Sequence, residues 1–222
     1  KKLGLGLAVN RLRNDIQLIE KNQRLDSIQA IQHYMLLTKL RKLNYQSVKI
    51  HKSYKFKLED IHFNSILVRA NWLLKQMSGE IDLVIPAWLR ERFEKSVHAL
   101  ELMYDEENET YCSRTWEDHK FVKEASFYDF MPLYAGTPSL ARAKKMSTKL
   151  KDYKIRGASF GVPTIPVNSP SYKEDKYWEG PSWPMVNWLL IDGLKRYGLD
   201  DEALNLREQT LNMVDAGGFA EY

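Results

Sequence analysis

Tyr177-Trp178-Glu179-Gly180-Pro181-Ser182-Trp183-Pro184-Met185-Val186-Asn187-Trp188-Leu189-Leu190 runs a dense aromatic, Gly and Pro segment straight into an apolar helix. Gly180-Pro181 predicts a tight turn that delivers the flanking aromatics. Ser182 is the expected N-cap of a helix over 183–197, and Asp200 that of a helix over 201–215. The chain then reads Gly217-Gly218-Phe219-Ala220-Glu221-Tyr222, where the glycines end the helix and a carboxylate sits between two aromatics. These residue types suit a sugar. Aromatic faces stack on the C–H face of a pyranose, Asn and Trp N–H groups reach its hydroxyls, and a carboxylate can activate water.

Outward from this block the apolar period is helical nearly everywhere. Asp26-Ser27-Ile28-Gln29 reads as a capping box, with Ile28, Ile31, Met35, Leu36, Leu40 and Leu43 on adjacent stripes. Phe63, Ile66, Leu67, Ala70, Leu74 and Met77 form an i, i+3, i+4 pattern closed by Gly79, and predict the buried face of a helix. Pro86 opens another helix, with Leu89, Phe93, Val97 and Leu100 as its stripe. Shorter helices are expected near 124–134 and 138–150. An acidic turn between aromatic and β-branched residues predicts a small β-hairpin within 104–122. Residues 151–176, rich in Gly, Pro and Ser, read as a long ordered loop anchored by Phe160, Val162 and Ile165. The fold class is all-α apart from that hairpin. Paired helices with loops gathered at one mouth suggest an α/α toroid.

At 222 residues, with 44% hydrophobic and 28% charged residues, the composition is that of one globular domain or a large piece of one. The 12% aromatic content suits a carbohydrate binder, or simply a core built of large residues. The net charge of +4 is scattered, with no basic stripe interleaved with aromatics, which argues against a nucleic-acid partner. No run of 18 apolar residues is present, so no membrane role is expected. The single Cys112 cannot form an internal disulfide, and the simplest setting is cytoplasmic. His33, His51, His62, His98 and His119 lack metal-ligand spacing, no G-x-S-x-G elbow occurs, and Gly4-Leu5-Gly6 lacks the third Gly of a dinucleotide loop. No metal and no cofactor are implied.

The 177–190 and 217–222 strings closely resemble the YWRGPxWxxxNWLL…GFxEY signature of glycoside hydrolase family 63, in its mannosylglycerate and glucosylglycerate hydrolase branch. Arg13-Asn14-Asp15-Ile16-Gln17, the helix around Tyr34, Asp60-Ile61-His62-Phe63-Asn64-Ser65-Ile66-Leu67 and Asp129-Phe130-Met131-Pro132-Leu133-Tyr134-Ala135-Gly136 resemble further landmarks in the same order. The resemblance implies an (α/α)6 barrel of the six-hairpin type, with residues 1–222 a single domain forming its C-terminal part. The sequence yields about seven helices, fewer than the twelve such a barrel needs, so the barrel is expected to be incomplete here.

Members of that family hydrolyse α-glycosides with inversion, using an acid and a base about 6.5–9.5 Å apart. The resemblance makes Glu221 the general base. The family's acid lies in a Trp-Asp-x-Ser-type motif that the chain lacks and that is expected upstream of Lys1; Asp15 and Asp60 are expected to be structural. Tyr177, Trp178, Trp183 and Tyr222 become the sugar contacts, with Tyr177 and Trp183 as walls and Trp188 as a core residue. Asn187 is expected to bond loop backbone. Glu179 stands where the family usually has Arg; it either sets a negative charge beside the site, which weighs against an anionic aglycone such as glycerate, or points outward into a surface ion pair. The implied partner is a small carbohydrate, a short α-glucoside or α-mannoside. A non-catalytic helical sugar-binding or assembly domain is the alternative, and an epimerase or trehalase of the same fold a weaker one. The oligomeric state is not readable.

Overall fold

A computed structural model describes residues 26–55, 57–153 and 160–220. Asp15, Glu221 and Tyr222 lie outside the described residues. The chain divides into two compact units, residues 1–57 with Asp175–Tyr177, and residues 58–174 with 178–222.

In the first unit, helix α1 (Ser27–Lys42) starts at the expected capping box. The Asp26 carboxylate accepts from the N–H groups of Ile28 and Gln29, while the Gln29 side chain accepts from the Asp26 N–H. Lys39 reaches from α1 across Tyr54, just past helix α2 (Ser47–Ser53), and donates to the Ser53 carbonyl at 2.8 Å. The apolar stripe of α1 is not buried: Ile28, Met35 and Leu36 are exposed.

The second unit holds the core. Helices α3 (Ile61–Glu80) and α4 (Ala87–Glu101) pack against each other. A 3-10 turn (Phe127–Phe130) leads into the short helix α5 (Met131–Ala135), which packs between α3 and α7 (Pro184–Arg196). Helix α6 (Leu140–Leu150) is capped by Ser139, and α8 (Asp200–Gly217) packs on α7. Ile61, Val68, Leu100, Phe130, Met131, Leu133, Val186, Leu190, Leu194 and Leu206 share one apolar cluster. The expected hairpin is present: β2 (Tyr104–Asp105) pairs antiparallel with β3 (Thr110–Tyr111). A second antiparallel pair was not legible, because its strands lie far apart in sequence. It joins β1 (Leu58–Glu59) to β4 (Arg114–Thr115), and Arg114 grips Glu59 at 2.7 Å across it.

Several local expectations are corrected. The apolar stripe of α3 faces out: Phe63 is 73% exposed, and Ile66, Leu67, Leu74 and Met77 are exposed too. Its buried line is Ile61, Ser65 and Val68, with Ser65 bonding the Ile61 carbonyl. Small polar residues can line a close helix contact, so apolarity alone chose the wrong face. Ser182 is not an N-cap; it forms an isolated bridge with Pro163, and Pro184 starts α7 after Trp183. Asp200 lies one residue inside α8, where with Asp201 and Glu202 it meets the positive end of the helix. Gly79 lies within α3 rather than closing it. Phe160 is exposed and does not anchor its loop, whereas Val162 is fully buried.

Candidate functional site

Three N-terminal ends meet on one side of the second unit. Asp60 caps α3 by accepting from the Phe63 N–H at 2.6 Å, which bears out its structural reading. Ser126 and Asp129 cap the 3-10 turn before α5. Trp183 sits just before Pro184, where its extended backbone feeds α7.

The loop between these ends is fixed by Thr164. Its carbonyl accepts from the Phe127 N–H at 3.0 Å, its N–H donates to the Pro181 carbonyl, and its hydroxyl accepts from the Gly180 N–H. Gly180 has no room for a side chain, since a Cβ there would lie 2.1 Å from the Lys173 carbonyl oxygen. Asn187 is fully buried one turn into α7, and its Oδ1 accepts from the Val162 N–H at 3.0 Å, as expected.

This frame holds the aromatic pair. Trp183 is 1% exposed, and Trp178 lies on it with centroids 3.8 Å apart and planes 3° from parallel. Trp183 is therefore covered, and the more exposed ring of the pair is Trp178, at 39% exposure. Phe127 stacks at 6.1 Å from Trp178, and His62 stacks on Tyr128, which meets Phe127 edge to face. Trp188 is 61% exposed, so the core reading of that residue is overturned. The buried line of α7 is Val186, Asn187, Leu190, Gly193 and Leu194, and residue 188 falls on the opposite side of a 3.6-residue helix. Tyr177 is exposed and belongs to the first unit. Glu179 forms an exposed ion pair with Lys173.

His62, Phe127 and Tyr128 escaped the sequence reading, although His62 lies within the Asp60–Leu67 string. Burial lowers the His62 pKa against the opposing pull of Asp60, which favours the neutral ring, and burial raises that of Tyr128. The only prior signal was a His two residues past a capping Asp. Behind the turn, burial raises Asp129 to about 7, partly offset by hydrogen bonds from Tyr153 and the Ser126 N–H. Cys112 is buried and pushed up to about 12 by desolvation, so its thiol is unreactive. Among the described residues no cluster of His, Cys, Asp and Glu could hold a metal, and no helix is long and apolar enough to cross a membrane.

The family model of the mannosylglycerate hydrolase MGH1-like glycoside hydrolase domain matches residues 14–222. The chain belongs to that family. It is 28% identical to a mannosylglycerate hydrolase of Thermus thermophilus, over 95% of this chain and 50% of that one. It is 24% identical to a glucosylglycerate hydrolase of Mycolicibacterium hassiacum, over 94% of this chain and 48% of that one. The fold is that of a family 63 mannosylglycerate hydrolase of Thermus thermophilus crystallised with Tris and D-glycerate. The match has a TM-score of 0.88 at 28% identity and covers 95% of this chain and 50% of that structure. The chain spans about half the length of the curated relatives it matches.

Proposed function

We propose that the protein carrying these residues is an inverting glycoside hydrolase acting on α-linked mannosyl- or glucosylglycerate. Its helices are part of an (α/α)6 toroid, and residues 1–222 belong to one catalytic domain, a reading supported by a family model that runs through both compact units. The observation that carries the proposal is the Trp178 ring, laid flat on a buried Trp183 and braced by Thr164 and Gly180. Such a ring is a ready platform for the C–H face of a pyranose, with Trp183 as its backing, and Tyr177 and Tyr222 are the further residues proposed to contact the sugar.

Glu221 takes the proton from a water that attacks the anomeric carbon on the face opposite the leaving oxygen, and an acid protonates that oxygen as the bond breaks. Neither Asp60 nor Asp129 suits the acid role: the first caps α3, and the second is buried against Tyr153. No cofactor is needed. Glu179 has a Lys173 partner, so its charge does not stand unpaired against a glycerate carboxylate. A cytoplasmic setting fits a lone, buried cysteine.

The test is proton NMR of the reaction on α-mannosylglycerate and α-glucosylglycerate. The first-formed sugar should be the β anomer. An α anomer would exclude inversion, and no hydrolysis of either would favour a binding role.

A further inference from the structure

The opposite end of α7 carries an imbalance of charge. Arg196, the last residue of α7, and Arg69 of α3 both lie against the ring of Trp72, at 4.5 and 4.8 Å. Between them they have one carboxylate. Asp192 precedes Arg196 by one helical turn and is its natural i, i+4 partner, but it pairs with Arg69 at 3.0 Å instead. Arg196 has no ion pair with any described residue, and its Nε is buried without an acceptor. The Thr137 hydroxyl, just past the end of α5, is likewise buried with no partner. Both residues line a cavity of about 310 Å³. Arg196 is half-buried, and a guanidinium Nε buried without an acceptor is costly, so a group that supplies an anion there gains a charge-assisted bond.

The cavity walls define what that group is attached to. Val68, Trp72, Phe93 and Val97 supply an apolar side, and Lys75 adds a second cation to the lining. Glu94 also lines it, and disfavours a compact, highly charged ion with no apolar part. We propose that this cavity binds an organic carboxylate with an apolar body: the carboxylate meets Arg196 and the Thr137 hydroxyl, and the body lies against Trp72 and Phe93. Trp183 and Arg196 stand at the two ends of α7, which is about 20 Å long at 1.5 Å per residue. The cavity is therefore separate from the Trp178 platform.

The test is calorimetric titration of the protein carrying these residues with benzoate, inorganic phosphate and benzyl alcohol at fixed ionic strength. Benzoate should bind, and the other two should bind at least about tenfold more weakly, the scale of one lost charge-assisted contact. Arg196→Gln should weaken benzoate by about tenfold or more, and Trp178→Ala should leave it unchanged. If Arg196→Gln does not fold, Thr137→Val and Lys75→Gln carry the same expectation with a smaller loss. No benzoate binding, phosphate binding as tightly, or benzoate binding that is insensitive to these substitutions but lost in Trp178→Ala would each overturn the proposal.

Discussion

Trp178 lies flat on Trp183, with centroids 3.8 Å apart and planes 3° from parallel, so one indole is the floor of the core and the other its exposed surface. The two substitutions should separate cleanly. Trp183→Ala empties a fully buried site and should cost about 3–5 kcal/mol of stability in urea denaturation. Trp178→Ala should cost about 1 kcal/mol while raising KM for the glycoside severalfold. Equal stability losses would mean that Trp178 is core rather than platform.

Asn187 and Gly161 fit each other. Gly161 has φ +79, and a Cβ there would lie 2.1 Å from the Asn187 Nδ2. Gly161→Ala should therefore cost at least about 2 kcal/mol, from backbone strain and displacement of the Asn187 bond to Val162. Thermal or urea unfolding checks this, and a neutral result would mean that the loop accommodates a side chain without losing Asn187.

The ion pair of Glu179 with Lys173 is exposed, so removing it should change stability by less than about 1 kcal/mol. With its charge already met, Glu179→Arg should leave the ratio of kcat/KM for a glycosylglycerate and a neutral α-disaccharide within a factor of about three, or about 0.7 kcal/mol. A large shift toward the glycerate substrate would show that residue 179 does face the aglycone.

Asp129 gives the fold a pH dependence of known sign. Burial raises its carboxyl to about 7, whereas an unfolded Asp ionises at about 3.9. Between those values the folded chain keeps a proton that the unfolded chain releases. Stability from this group is thus full below about pH 4, falls as pH rises towards about 7, and is level above. Asp129→Asn stays neutral and can still accept from Tyr153, so it should flatten that slope and gain on the order of 2 kcal/mol at pH 8 relative to wild type. An unchanged slope would place the titrating group elsewhere.

Local chemistry was the legible part of the sequence. The Asp26 capping box, the end of α8 at Gly217–Gly218, the hairpin at 104–111 and the Asn187 bond to loop backbone all follow from short-range rules. Choice of face was not. Apolar periodicity put Phe63, Leu67 and Trp188 inside, whereas the core contacts use Ser65, Val68, Asn187 and Gly193, where close approach matters more than apolar area. The site was read as a string of aromatics, but which indole is covered depends on a loop folded back by Thr164, a contact 16 residues from Gly180. The strand pair of Glu59 with Arg114 was illegible for the same reason, being 55 residues apart.

The most direct measurement is turnover of α-mannosylglycerate by Glu221→Gln in the protein carrying these residues. Binding through the Trp178 platform should persist, with KM within a fewfold of wild type. Loss of general-base assistance should lower kcat by about 10²–10⁴-fold or more. Near-normal kcat in that variant would remove Glu221 from the chemistry and with it the assignment of this mouth as the catalytic site.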